Sequence, residues 1–204
     1  MQALNDLVRS GKVRYIGASS MWACKSLILG RLEAAKYETC FWRHQYKNTD
    51  QFAQLQFCAE KNGWTKFVSM QNQYSLCYRE EEREMNKYCH ETGVGLIPWA
   101  PLFRGFLARP PDTEKTTRGK SVAELTPASE KIIKRVEELA NQKGWKMSQV
   151  ALAWVIQKKT IPIVGFSNTA RLQEAIEVRG KTLTEEEIKY LEEPYVDQPI
   201  FGHS

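Results

Sequence analysis

Apolar side chains recur along the chain in two alternating ways, first at spacings of three and four residues and then in short continuous runs. Residues Gln2 to Arg9 place Leu4, Leu7 and Val8 on one helical face, Gly11 offers a left-handed cap, and Val13-Arg14-Tyr15-Ile16-Gly17 reads as a strand. A polar and aromatic cluster, Ser19-Ser20-Met21-Trp22, follows. The unit returns from Gln51 to Lys61, with Phe52, Leu55 and Ala59 inward, then Gly63, the strand Lys66-Phe67-Val68-Ser69-Met70 and the cluster Gln71-Asn72-Gln73-Tyr74. A third copy runs through a helix from Glu80 to Glu91, Gly93, a strand from Val94 to Pro98, and Trp99-Ala100-Pro101-Leu102-Phe103-Arg104-Gly105. Glu80, Glu81, Glu82 and Glu84 fall in or near the first turn of that helix, where the dipole favours acids, and they read as a solvated turn.

A longer polar loop from Arg109 to Thr126 separates this from helices at Ser129 to Lys143 (Ile132, Ile133, Val136, Leu139 and Ala140 inward) and Ser148 to Lys158. The strand Ile161-Pro162-Ile163-Val164-Gly165 follows, then Ser167-Asn168 at the head of a helix carrying Leu172, Ala175 and Ile176. A last helix opens with Thr184-Glu185-Glu186-Glu187, a capping box, with Leu183 set to pack on Ile188. Four strands separated by helices predict an α/β fold with a parallel sheet and right-handed crossovers. All four clusters then fall at the carboxyl ends of strands, the rim where α/β folds bind ligands.

Composition agrees with a globular chain: 204 residues, 42% hydrophobic and 26% charged, enough for a sizeable core. The net charge is 29 − 24 = +5, with basic residues scattered and no run to track a phosphate backbone, so nucleic acid is not expected as a partner. No apolar stretch reaches membrane-spanning length and no secretory leader opens the chain, so no membrane partner and a cytoplasmic location are expected. The cysteines Cys24, Cys40, Cys58, Cys77 and Cys89 form no CxxC pair and, with His44, His90 and His203, give no zinc spacing; reduced thiols and no metal site are expected.

No GxGxxG follows a strand, and neither a GxxxxGK[ST] loop nor a Gly-x-Ser-x-Gly elbow occurs. The rim instead offers amides (Gln71, Asn72, Gln73), hydroxyls (Ser19, Ser20, Ser167), aromatic faces (Tyr74, Trp99, Phe166) and guanidiniums (Arg104, Arg109, Arg171). An amide for a carboxamide, a ring to stack on, and cations beside a helix N-terminus for phosphate suit a nicotinamide dinucleotide. Each has a plainer reading: Trp99 as core, Gln71 as a backbone bridge, Arg171 as a solvated helix residue.

Taken together, residues 7–20, Gln71-Asn72-Gln73-Tyr74-Ser75-Leu76, residues 98–107 and Ile163-Val164-Gly165-Phe166-Ser167-Asn168 resemble the second half of an aldo-keto reductase, within that superfamily the fungal aryl-alcohol dehydrogenase branch. The resemblance covers nearly everything except residues 24–50. It implies a partial (β/α)₈ TIM barrel, about the last four βα units, that binds extended NADP(H) and transfers hydride to or from a small carbonyl or alcohol. Carried over residue by residue, it implies that Ser19 and Gln71 hold the nicotinamide carboxamide and that Trp99 lies against the ring. The backbone of Ala100, Pro101 and Leu102, with Arg104, would approach the pyrophosphate. Gly165, Ser167, Arg171 and Glu174 would surround the adenosine end, Arg171 on the 2′-phosphate and Glu174 on the adenine amino group. Relatives commonly follow that glutamate with asparagine, where this chain has Ala175.

The family's catalytic Asp, Tyr, Lys and His lie on the first half of the barrel, and no residue here matches them, so the resemblance implies no catalytic residue in residues 1–204 and a single incomplete domain. A half-barrel would also leave strand edges and inner faces open, which favours self-association. Residues 24–50 read as an atypical insertion, since joining Met21-Trp22-Ala23 to Gln51-Phe52-Ala53 restores a continuous loop-to-helix passage. The rival readings are a reductase of polyketide-derived carbonyls or hemiacetals and a catalytically inactive NADP-binding or interaction module.

Overall fold

A computed structural model describes residues 1–19, 48–110 and 125–200, and resolves them into an α/β arrangement of two compact units. The first unit takes in Met1–Gln71, Glu82–Gly95 and the chain from Ile200, and holds the first two strands and Gly95 of the third. Strand β1 (Gly17–Ser19) pairs in parallel with β2 (Ser69–Gln71) in the register Gly17 to Ser69, Ala18 to Met70 and Ser19 to Gln71. On the other side of β2 lies β3 (Gly95–Leu96), whose Gly95 N–H donates to the Val68 carbonyl at 2.9 Å. Gly17 lets β1 lie close to β2: a Cβ there would meet the Ser69 hydroxyl, which would have to rotate away.

Helix α1 (Gln2–Arg9) forms where the periodicity places it, but its one buried side chain is Asn5, whose Oδ1 accepts from the Thr65 N–H and hydroxyl, both at 3.1 Å. Leu7 on the expected apolar face is exposed. Helix α2 (Asn48–Lys61) begins three residues before the expected Gln51, so the last residues of the 24–50 segment are helical backbone; the rest of that segment up to residue 47 lies outside the described residues. Phe52, Leu55 and Ala59 are buried, with Phe52 stacked on Phe67 and edge-on to Tyr88. Gln56 clasps the Phe67 peptide from both sides, donating to its carbonyl and accepting from its N–H at 2.9 Å each.

The strands predicted at 13–17 and 66–70 are shorter and shifted to and past their carboxyl ends, and that at 94–98 shrinks to Gly95–Leu96, because pairing with a neighbour, and not the apolar run, sets the limits of a strand. The helix predicted from Glu80 divides: Glu80–Arg83 is a 3₁₀ turn, Glu84 (φ −146°) breaks the helical path, and α3 (Met85–Thr92) follows, capped by left-handed Gly93.

The second unit, Asn72–Glu81 and Leu96–Pro199, contains the main core. Helix α4 (Pro127–Lys143) starts where the Thr126 hydroxyl accepts from the Ser129 N–H at 3.1 Å, and it buries Ile132, Ile133, Val136, Leu139 and Ala140, the expected stripe. Helix α5 (Met147–Gln157) is buried on all sides from Met147 to Val155, and its Trp154 ring lies 5.1 Å from Tyr74. Helices α6 (Thr169–Ile176) and α7 (Glu185–Glu192) complete the unit. The capping box of α7 forms as expected, Thr184 N–H to Glu187 Oε2 at 2.8 Å and Glu187 N–H to Thr184 Oγ1 at 3.2 Å, with Leu183 buried in the core and Ile188 packed against it.

The fourth strand, expected at Ile161 to Gly165, does not form a ladder. Ile161 and Ile163 donate to the carbonyls of Leu96 and Pro98 at 2.9 and 2.8 Å, but Pro98 has no N–H to donate to the Ile161 carbonyl, and only a bridge between Leu96 and Thr160 results.

Reading the acidic turn as solvated is overturned at two of its four positions. Glu80 and Glu81 are buried. Glu80 Oε1 accepts from the Tyr195 hydroxyl at 2.6 Å and the Gln198 N–H at 2.8 Å, while Tyr195 accepts from the Arg79 N–H at 2.9 Å. The Arg79 guanidinium pairs with Glu192 at 3.1 Å and lies over the Tyr195 ring, and Glu192 also accepts from the Trp154 indole at 2.7 Å. The chain from Glu192 to Gln198 is thereby latched onto the turn from Cys77 to Glu80.

Candidate functional site

In the first unit, Ser19 and Gln71 stand directly opposite each other at the carboxyl ends of β1 and β2. The Ser19 hydroxyl donates to the Gln71 main-chain carbonyl at 3.1 Å, and both residues are exposed. The register that pairs Gly17 with Ser69 forces this juxtaposition, so a hydroxyl and a primary amide are presented side by side to solvent. That pair can both donate to and accept from an amide-sized ligand group. Ser20 lies outside the described residues.

In the second unit, Trp99 is half-buried, and its N–H donates to the Asn72 carbonyl at 2.8 Å. The chain beyond it is strained: Ala100, Phe103 and Arg104 have φ of 53°, 46° and 56°, and Gly105 has 97°. Three non-glycine residues in the left-handed region cost on the order of 1 kcal/mol each, and such strain gathers at ligand-binding loops. The loop is held by Phe103 N–H to the Ala100 carbonyl and Gly105 N–H to the Leu102 carbonyl, each 2.9 Å, by the Arg109 Nε–H on the Gly105 carbonyl at 3.1 Å, and by buried Leu107. Pro101 is buried, while Ala100, Leu102 and Arg104 are half-buried.

The remaining candidates lie around the start of α6. Gly165 and Ser167 are exposed. Asn168 caps the helix, its Oδ1 accepting from the Arg171 N–H at 2.9 Å, and the exposed Arg171 guanidinium donates to the Ser167 hydroxyl at 3.1 Å. One turn on, the Glu174 carboxylate accepts a hydrogen bond from the Ser148 hydroxyl.

Three residues expected on the rim are interior. Asn72, Gln73 and Tyr74 are all buried, because the chain turns inward immediately after Gln71 and Tyr74 packs on Trp154. Glu81 joins them: burial lifts its carboxyl to about 7 against a hydrogen bond from Asn72, with the neighbouring Glu80 charge adding to the rise. The sequence carried no signal for this group. Among the described residues no cluster of His, Cys, Asp or Glu has the makings of a metal site, and no helix is long and apolar enough to cross a membrane.

A parallel-stranded α/β chain with exposed polar groups at its strand ends is a ligand-binding class of fold. The sequence model of the Aldo/keto reductase family matches residues 1–195, and the chain belongs to that family. It is 49% identical to an aldo-keto reductase of Fusarium vanettenii, over all of this chain and 50% of the relative. It is 47% identical to a putative aryl-alcohol dehydrogenase of Schizosaccharomyces pombe (99% of this chain, 52% of the relative) and 45% identical to versiconal hemiacetal acetate reductase of Aspergillus parasiticus (98% and 53%). The chain thus spans about half the length of the curated relatives it matches. A crystal structure of a thermostable aldo-keto reductase shares the fold, with a TM-score of 0.61 at 22% identity over 95% of this chain and 53% of that one. The family is one of oxidoreductases that use a nicotinamide cofactor and carbonyl substrates.

Proposed function

We propose that this chain is the cofactor-binding part of an NADP(H)-dependent reductase of the aryl-alcohol dehydrogenase type, built as the last four βα units of a (β/α)₈ barrel and working in the cytoplasm. The observation that carries this reading is the Ser19 hydroxyl on the Gln71 carbonyl at 3.1 Å, a register-locked pair at the ends of adjacent parallel strands. The family resemblance assigns Ser19 and Gln71 to the nicotinamide carboxamide, Trp99 to the nicotinamide ring, the Ala100-Pro101-Leu102 backbone with Arg104 to the pyrophosphate, and Gly165, Ser167, Arg171 and Glu174 to the adenosine end. Arg171 suits a 2′-phosphate because its guanidinium projects one turn into α6, beside the helix's positive end. The cofactor supplies hydride; these residues bind and orient it.

An aromatic aldehyde or alcohol is the substrate class favoured by the aryl-alcohol dehydrogenase relatives. A second reading, reduction of a polyketide-derived carbonyl or hemiacetal, is favoured by the versiconal hemiacetal acetate reductase relative. Calorimetric titration with NADPH tests the cofactor reading: Gln71→Ala is expected to weaken binding about tenfold, the loss of one or two hydrogen bonds. Unchanged affinity would remove the carboxamide role.

A further inference from the structure

Helix α6 carries Arg171 and Glu174, two of the four residues assigned above to the adenosine end, yet none of its eight side chains is buried. Leu172 and Ile176 are exposed, and Ala175 alone among its apolar residues reaches the margin of the core. Hydrophobic burial therefore does little to fix where this helix sits. Two polar side chains at the first turn of α5 do it instead. Ser148, 5% exposed, donates its hydroxyl to the Glu174 carboxylate. Gln149, 4% exposed, uses its amide as a bridge: Oε1 accepts from the Lys146 N–H at 3.1 Å, while Nε2 donates to the Glu174 carbonyl at 3.0 Å and reaches Glu177 Oε2 at 3.4 Å. Both side chains are spent at the end of α6 opposite Arg171, on the same residue, Glu174, from its main chain and from its carboxylate.

We propose that Ser148 and Gln149 are positioning residues for the adenosine end of the cofactor: they dock α6 on α5 so that Arg171 and Glu174 are presented together to a 2′-phosphoadenosine group. The inference rests on the cofactor reading above. A helix tethered by polar contacts and not by a core is easily displaced, so the same clamp sets how well the chain tells a 2′-phosphorylated adenosine from one without it. A buried hydroxyl and an amide Nε2 whose partners lie on one exposed helix lose those partners if that helix moves, which makes displacement costly and the docked position the preferred one.

The test separates the two halves of the dinucleotide. Titrate the full chain and its Ser148→Ala and Ser148→Thr variants with 2′,5′-ADP and with reduced nicotinamide mononucleotide, and follow amide hydrogen exchange across residues 169–176. Ser148→Ala is expected to weaken 2′,5′-ADP about fivefold and to leave the mononucleotide within twofold. It should also speed exchange in α6, and Ser148→Thr, which keeps the hydroxyl, should restore both. Equal 2′,5′-ADP affinity in wild type and Ser148→Ala, or an equal loss for both fragments, overturns the positioning role while the cofactor reading stands. Failure of the wild-type chain to bind either fragment overturns the cofactor reading, and the positioning role with it.

Discussion

Glu81 is a residue whose chemistry departs from its sequence appearance. Its carboxyl moves from about 4.5 to about 7, chiefly because burial disfavours the anion. Between those values the folded chain holds a proton there that the unfolded chain has released, so this group's contribution to stability is fully present below about pH 4.5 and is lost as pH rises through about 7. Chemical denaturation of wild type and Glu81→Gln at pH 5 and pH 8 checks the sign: relative to the variant, wild type should lose stability on going to pH 8, and a flat difference would show that Glu81 does not titrate in this range. Tyr195 and Cys77 shift the same way for the same first cause: burial pushes both far up, with the hydrogen bond to Glu80 adding to the Tyr195 shift. The Cys77 thiol is accordingly expected to resist alkylation until the protein unfolds, which mass mapping of labelled peptides reads directly.

Among the elements, α4 shows what a local code achieves. Its cap, its left-handed Gly144 stop and its five inward positions all lie within the segment that specifies them. Thr126→Ala should cost about 1 kcal/mol and Ile133→Ala about 2–5 kcal/mol in thermal or denaturant melts, since one removes a cap and the other opens a cavity at a fully buried site. Of these features of α4 the periodicity gives the inward stripe but starts the helix at Ser129, missing the Thr126 cap and the Gly144 stop, while the caps of α6 and α7 and the inward face of α2 were legible. The strands were legible as apolar runs only, because their limits depend on which neighbour they pair with, and Pro98, which lacks an N–H, leaves the fourth only partly paired. Glu80 was illegible, since its partners Tyr195 and Gln198 lie 115 and 118 residues further on. In the candidate site, Gln71 was distinguishable from its buried neighbours Asn72 and Gln73 only by the family resemblance. Ser148 and Gln149 looked like ordinary helix residues, since their partners sit on another helix.

At the scale of the whole molecule, the chain covers 50–53% of the Fusarium, Schizosaccharomyces and Aspergillus relatives described above. Tyr15 and Val68 in the first unit, and Ile161 and Ile163 in the second, leave apolar side chains in water. We expect such surfaces to be covered by association, so sedimentation should show concentration-dependent self-association that Tyr15→Lys with Val68→Lys reduces; a monomer at all concentrations would refute this. The central claim is that these residues hold NADP(H). Its most direct test is to titrate the purified, folded chain with NADPH and with NADH while following tryptophan fluorescence, because Trp99 is the residue proposed to lie against the nicotinamide. Saturable quenching, with NADPH bound at least tenfold more tightly than NADH, is the predicted result; no saturable signal, or equal affinity for the two, would contradict it.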